Sequence, residues 1–304
     1  MKYIVTEATS SLGVELCQYL VSNHQDVYAI CDAETNKSEI LPKSELLHTI
    51  YLYKVAYNNL NDQIPNADIF VYLGSLETNT RKNLLKEEYL QIIDGCMDAL
   101  MVARRIGCSL FVNMGSYEEY GITKEIQGER TLLFPISDFG RACVILGKIA
   151  TEYCRYAGIK YLHLRLFSIY GDNNDPDSLI ANCINKMKND ESIELPSCVQ
   201  NWNYIYLKDA VKQAGLLMNS ALKRSDFIRE SFQIASDDTR SLQCFIKELK
   251  HILNSSSELN FGSIQEEKEY SLQPDISKTK NTIGFISDYT FEEGIKNIFN
   301  NSLL

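Results

Sequence analysis

A chain of 304 residues that is 45% hydrophobic can bury a substantial core, in one large domain or two modest ones. Its formal charge of -10, from 40 acidic against 30 basic side chains, excludes a general binder of nucleic-acid backbones, which needs a surplus of Lys and Arg. Nine cysteines with no CxxC pair and no Cys/His cluster give no metal-ligand spacing and point to reduced thiols, most of them small core residues, in a cytosolic compartment.

The N-terminus enters a strand pattern at once, without a basic leader, and no later stretch reaches membrane-spanning length, so a soluble cytoplasmic protein is expected. Short runs dense in β-branched and aromatic residues predict strands at residues 3–5, 27–31, 69–73 and 110–114, each short enough to be buried on both faces. Helical spacing fills the gaps, at residues 13–23 and at 82–106 before Gly107 stops it, and a further helix at 139–156 leads to a strand at 161–167. This alternation predicts an α/β fold with a Rossmann-type doubly wound parallel sheet. After about residue 172 the pattern loosens. Residues 172–177 form a polar, turn-rich stretch, and helices such as 242–253 are separated by Ser-, Asn- and Asp-rich loops. The expected division is a sheet domain over residues 1–171 and a smaller lobe over 172–304, interleaved with the end of the sheet.

The chemistry concentrates at strand ends. After the first strand comes Thr6-Glu7-Ala8-Thr9-Ser10-Ser11-Leu12-Gly13, where a dinucleotide cradle needs small residues so that amides can approach a pyrophosphate. Asp32 ends the second strand, where a carboxylate would hold ribose hydroxyls, although Asp is also a common turn former. Further on lie Asp68-Ile69-Phe70-Val71-Tyr72-Leu73-Gly74-Ser75 and Leu110-Phe111-Val112-Asn113-Met114-Gly115-Ser116-Tyr117-Glu118-Glu119-Tyr120-Gly121. They are followed by Pro135-Ile136-Ser137-Asp138-Phe139-Gly140-Arg141-Ala142-Cys143, Arg165-Leu166-Phe167-Ser168-Ile169-Tyr170-Gly171 and Gln200-Asn201-Trp202-Asn203-Tyr204-Ile205-Tyr206.

Taken together, these segments resemble the extended short-chain dehydrogenases/reductases of the NAD-dependent epimerase/dehydratase family, which act on nucleotide-sugars. They match that family's TGATGxxG, DxVxHLA, FxxxGSxxEYG, PxSxYGxxK, RxFSxYG and QxWDYLYVxDA patterns, and the likeness runs over almost the whole chain. The resemblance implies catalytic slots at Ser116, Phe139 and Cys143. It implies cofactor positions at Glu7, Ser10, Ser11, Leu12, Gly13, Asp32, Leu73, Gly74 and Ser75. Substrate positions would be Ser116 again, Tyr120, Ser168, Asn203 and Arg240, with residues 172–304 as the nucleotide-sugar lobe.

The departures fall on functional positions. In the family the Phe139 slot holds a tyrosine acid/base and the Cys143 slot a lysine that lowers its pKa and binds the nicotinamide ribose. Phe has no proton to give and Cys cannot reproduce the cation. The register is fixed by Pro135, Ser137 and Gly140 and by the 22 residues from Cys143 to Arg165. Lys148 lies five positions beyond Cys143, about 140° around the helix and about 7.5 Å along it, so it faces elsewhere. Glu7 and Ser10 replace cradle glycines. Glu7 puts a carboxylate near two phosphate charges, while a plain strand-to-helix turn with an acid at the helix N-terminus remains the alternative. Gln265 and Glu266 stand where the family has Pro-Tyr, adding negative charge near a phosphorylated ligand.

The expectation is a catalytically impaired homologue of NAD(P)-dependent nucleotide-sugar epimerases, dehydratases and reductases that serves as a binding or regulatory partner. Binding of NAD or NADP would be weakened or lost. The alternative is an active nucleotide-sugar epimerase, reductase or dehydratase with a rearranged site. By the resemblance, helices 82–106 and 139–156 would pair in a homodimer or in a heterodimer with an active relative. Neither nucleic acid nor membrane is expected as a partner.

Overall fold

The computed structural model describes residues 1–34, 38–53, 57, 60–74, 86–171, 178–265 and 270–301. In chain order the first part runs β1 (Lys2–Val5), α1 (Ser11–Ser22), β2 (Asp26–Asp32), β3 (Leu47–Leu52), α2 (Leu60–Gln63), β4 (Ile69–Tyr72), α3 (Lys86–Ile106), β5 (Leu110–Ser116), α4 (Asp138–Ala157) and β6 (Lys160–Leu166). The second part runs β7 (Ser168–Tyr170), α5 (Leu179–Lys188), β8 (Ile193–Leu195), β9 (Asn201–Tyr206), α6 (Leu207–Lys223), β10 (Arg229–Ile234), β11 (Thr239–Ser241), α7 (Leu242–Ile252), β12 (Leu259–Phe261), α8 (Ser277–Ile283) and α9 (Phe291–Asn301).

The expected doubly wound sheet is present. Seven strands lie in the order β3-β2-β1-β4-β5-β6-β10, and every neighbouring pair is parallel. The order reverses between β1 and β4, which opens a crevice at the C-terminal ends of those strands. β4 and β5 are buried along their whole length, as continuous apolar runs require.

Successive strand residues point to opposite faces, and two cores follow from that period. On one face Tyr3, Val5, Val27, Ala29, Val71, Val112 and Leu164 pack against Leu16 and Leu20 of α1 and Ala214 and Leu217 of α6. On the other, Ile4, Ile30, Phe70, Phe111 and Tyr161 pack against Ala99 and Leu100 of α3 and Leu146 and Ala150 of α4. A third core joins α5, α7 and α9 through Ile184, Phe245 and Ile295, among others.

Two sheet strands escape the sequence patterns. β3 is an edge strand interrupted by exposed His48 and Tyr51, so it shows no apolar run. β10 begins with Arg229 and Glu230 and pairs with β6 from far along the chain. The predicted helix at 82–106 is described from Lys86, and residues 82–85 and the polar stretch 172–177 lie outside the described residues. Among the described residues no helix is long and apolar enough to cross a membrane, and no cluster of His, Cys, Asp and Glu could hold a metal ion.

Candidate functional site

The turn after β1 places Glu7 in the left-handed region, with φ 48. That conformation explains why a glycine suits the position and why a side chain there is strained. Ser10 caps α1: its Oγ donates to the Glu7 carbonyl at 2.8 Å and accepts the amide of Gly13 at 3.0 Å. A Cβ on Gly13 would collide with the Glu7 carbonyl oxygen, so the third glycine position is set by backbone contact within the turn. Ser11 and Leu12 are half-buried in the first turn of α1, where Leu12 packs on the core.

Asp32 closes β2, and its Oδ1 accepts the amide of Glu34 at 2.9 Å. The Glu7 side chain shares with it a cavity of about 90 Å³ lined by Glu7, Ile30, Cys31, Asp32, Glu34, Leu52 and Tyr57. Three carboxylates therefore border a small space at the ends of β1 and β2. Tyr57 Oη donates to Glu7 Oε1 at 3.4 Å, and burial holds this phenol well above its ordinary pKa, with Tyr72 and Glu7 adding to the shift. Sequence inspection missed Glu34 and Tyr57; the Asp-x-Glu spacing after β2 was the available signal for the first, and nothing local marks the second.

The loop after β4 is tied to the β1 turn through Thr6, whose Oγ1 accepts the Leu73 amide at 2.8 Å. Leu73 is fully buried, so it offers backbone and not side chain to the crevice. Gly74 is half-buried above the Tyr72 ring, and Ser75 lies outside the described residues. Tyr72 donates to the Ile92 carbonyl at 3.3 Å, and burial, with Cys96, Glu7 and Cys143 nearby, pushes its pKa well up.

Ser116 ends β5, only 6% exposed, and caps the short turn Tyr117–Tyr120 by accepting the Glu118 amide at 3.2 Å. The reciprocal contact runs from the Ser116 amide to Glu119 Oε1 at 3.1 Å. Glu119, which the sequence did not single out, is buried and also accepts His163 Nε2 at 2.8 Å and Arg165 Nε at 2.7 Å. Burial alone would raise its pKa, but His163 and Arg165 outweigh it and hold the carboxyl at about 2. On the other side of the ring, His163 Nδ1 lies 3.0 Å from Tyr161 Oη and 3.2 Å from Asn113 Nδ2. The signal for this cluster was the period of two along β6, which puts Tyr161, His163 and Arg165 on one face.

Phe139 and Cys143 lie in the first turns of α4, each 1% exposed. Gly140 brings that helix against the Ser116 turn: a Cβ there would sit 2.5 Å from the Glu118 carbonyl oxygen. The crevice thus gathers the β1 turn, Asp32, Leu73 and Gly74 on adjacent strands, and the packing of α4 on the β5 turn sets Phe139 and Cys143 beside the Ser116 turn.

Other nominated side chains are engaged within the chain. Tyr120, a substrate position by the resemblance, is 2% exposed; its Oη donates to the Gly128 carbonyl at 2.9 Å and accepts Gln233 Nε2 at 2.6 Å. Asn203 is buried, with Nδ2 near the carbonyls of Ser236 and Asp238 and Thr239 Oγ1, and Oδ1 accepting the Ser236 amide at 3.2 Å. Arg240 pairs with Asp238 and Glu248 and lies 4.2 Å over the Phe245 ring. Ser168 is half-buried at the start of β7, Gln265 is exposed and Glu266 lies outside the described residues.

A parallel sheet of this order defines the Rossmann-like doubly wound α/β class, and comparison narrows it. The NAD-dependent epimerase/dehydratase family matches residues 3–234, and the chain belongs to that family. It is similar to an uncharacterised protein of Methanocaldococcus jannaschii, 26% identical with 99% of this chain and 96% of the relative covered. CDP-abequose synthase of Salmonella muenchen is 21% identical, with 97% and 96% covered. Among solved structures, a tyrosine-to-phenylalanine variant of UDP-glucuronic acid 4-epimerase from Bacillus cereus, bound to a fluorinated UDP-sugar and NAD, superposes with a TM-score of 0.87 at 21% identity and 100% coverage of both chains. UDP-N-acetylglucosamine 4-epimerase from Methanobrevibacter ruminantium gives 0.86 at 18% identity, covering 99% and 98%. At these identities the structural likeness speaks to the fold.

Proposed function

We propose that this chain is a nucleotide-sugar-binding member of its family that has lost the hydride-transfer chemistry and acts as a binding or regulatory partner. The observation that carries the reading is the buried pair Phe139 and Cys143 on α4, beside the Ser116 turn, where the resemblance calls for a proton donor and a cation. Losing a general acid removes a contribution typically worth 10² to 10⁴ in rate.

The residues of the β1 turn do not fit a dinucleotide. The Ser10 hydroxyl already takes the Gly13 amide at the N-terminus of α1, and the Glu7 carboxylate adds negative charge to a cavity shared with Asp32 and Glu34. Retained Asp32 and Ser116 favour the second reading, an active epimerase, reductase or dehydratase with a rearranged site. That reading needs a new acid/base, and Tyr72 and Tyr120 are held in hydrogen bonds to backbone or Gln233.

The paired helices support a partner role. Along α3 and α4, Leu90 is 50% exposed and Tyr156 77%, and Ile93, Met97, Ile149 and Tyr153 are half-buried, which suits a dimer with a copy or an active relative. The reading places such an assembly in the cytoplasm.

The experiment is a titration of the full chain with NAD(H), NADP(H) and UDP-, CDP-, GDP- and dTDP-sugars while following thermal unfolding. A true ligand at 100 times its dissociation constant adds about 2.7 kcal/mol. The expected result is stabilisation by a nucleotide-sugar and none by a dinucleotide. Turnover, or a dinucleotide copurifying at full occupancy, overturns the proposal.

A further inference from the structure

The ends of α5, α7 and α9 border a cavity of about 510 Å³, and among the described residues none that lines it belongs to the seven-stranded sheet. Its apolar walls come from Met187 on α5, Ile252 and Leu253 at the end of α7, and Phe299 on α9. Met187 is 2% exposed and the other three are half-buried, so the walls are an open side of the third core. A volume of this size is in the range of small-molecule sites.

The polar groups around it fall into two sets. Acceptors are committed within the chain. The Lys186 carbonyl takes the amides of Asn189 and Glu191, and the Met187 carbonyl takes that of Asp190. Ser255 Oγ donates to the Met187 carbonyl at 2.8 Å, and the Ser256 amide donates to Asp190 Oδ1 at 2.7 Å. At the end of α7 the carbonyls of Lys250 and His251 take the amides of Ser255 and Asn254. These turns use the helix-end carbonyls that would otherwise draw a cation. Donors are left over. Lys188 and Lys296 are exposed at the rim, one with Nζ 4.7 Å over the Phe299 ring and the other paired with Glu292 at the surface. An ammonium carries three N–H donors, so each has donors to turn towards an occupant. Among the described residues lining the cavity, two ammonium groups face one carboxylate, a positive balance in a chain of charge -10.

We propose that this cavity is a second ligand site, separate from the sheet crevice, for a medium-chain aliphatic monocarboxylate. The carboxylate sits between Lys188 and Lys296, and the chain lies along Met187, Ile252 and Leu253. Charge selects the head group: spare donors and a positive balance ask for an anion, and a single excess positive charge suits a single negative one. The walls select the tail. Met187, Ile252 and Leu253 are aliphatic, and Lys188 already covers a face of Phe299, so a flexible hydrocarbon chain fits better than a stacked ring. The inference goes beyond the nucleotide-sugar reading and does not depend on it.

Calorimetric titration of the full chain with hexanoate, octanoate, octylammonium and octan-1-ol tests the assignment. The expected result is one octanoate per chain, held roughly tenfold tighter than hexanoate because two more methylenes are buried. Octan-1-ol should bind more weakly and octylammonium should not bind. Lys188→Glu with Lys296→Glu changes two exposed side chains and should reverse the preference, so that octylammonium binds and octanoate does not. Ile252→Glu puts a carboxylate on the wall and should weaken octanoate at least about tenfold, with circular dichroism establishing that both variants fold. Saturating UDP-, CDP-, GDP- or dTDP-sugar should leave the octanoate affinity unchanged. Absence of octanoate binding overturns the proposal, as does octylammonium binding the parent chain equally well. Octanoate binding of equal strength in the parent and both variants puts it elsewhere on the chain and overturns the site. Displacement of octanoate by a nucleotide-sugar assigns it to the crevice and overturns the separate site.

Discussion

Ser137 donates its hydroxyl proton to Glu118 Oε2 at 2.5 Å while accepting the Gly140 amide at 3.0 Å. One oxygen thereby caps α4 and ties it to the turn that begins at Ser116, so the segments bearing Ser116 and the pair Phe139 and Cys143 cannot shift independently. Ser137→Ala removes the cap and takes a donor from the buried Glu118 carboxylate. The expected loss is about 1–2 kcal/mol in urea unfolding. An unchanged midpoint would mean that the link carries no stability.

Glu7→Gly tests the β1 turn. Left-handed backbone costs a residue with a Cβ roughly 1–2 kcal/mol, and that relief is offset by the freedom glycine adds to the unfolded chain, so stability should stay within about 1 kcal/mol of the parent. The informative readout is NAD. Removing a carboxylate from the cavity bordered by Asp32 and Glu34 should let NAD raise the melting temperature where the parent shows no shift. If Glu7→Gly and Glu7→Gly with Ser10→Gly both ignore NAD, Glu7 is not the barrier.

The sheet was legible because strands buried on both faces spell continuous apolar runs, as in Ile69-Phe70-Val71-Tyr72, and helices between them carry clear stops. β3 and β10 were not, because one is a half-exposed edge and the other starts with charges and pairs with β6 at a separation of 68 residues, as in Arg229 with Tyr161. The slots of Ser116, Phe139 and Cys143 were assigned from framing residues. Glu119 and Tyr57 were not, since a buried ion pair and a tyrosine in a distant loop become partners only when the strands are laid side by side. For the same reason Tyr120 and Asn203 could be placed by number but not by role: apart from the nearby Gly128 carbonyl, their hydrogen bonds go to Gln233, Ser236 and Thr239, far off in sequence.

Glu119 sets an acid limit on stability. Its folded pKa of about 2 lies below the ordinary 4.5, so the folded chain binds this proton more weakly than the unfolded one. The stabilisation is complete above about pH 4.5 and drains away as pH falls towards 2. Glu119→Gln should remove that part of the acid dependence and cost about 3–5 kcal/mol at neutral pH, because Arg165 would stay buried without its counter-charge. Urea unfolding across the acid range, parent against variant, measures both. Parallel curves through this window would show that the carboxylate does not titrate with folding.

Restoring the reacting groups is the strictest test of the functional reading. Positions 139 and 143 share a face of α4, so Phe139→Tyr with Cys143→Lys would place a phenol one turn from an ammonium. The lysine lowers the phenol pKa, and burial lowers the lysine's own. Neither substitution should act alone, since a phenol without the cation stays protonated and a cation without the phenol has no proton to move. Groups that work as a unit give non-additive effects, so the double variant in the Glu7→Gly background should reduce NAD with a bound nucleotide-sugar at least about 10²-fold faster than either single variant. The readout is the absorbance of reduced nicotinamide, with circular dichroism checking that the lysine introduced into this buried position has not unfolded the helix. Measurable turnover by the parent chain would instead show that another residue already supplies the proton, and Phe139 and Cys143 would then be tolerated replacements in a working enzyme.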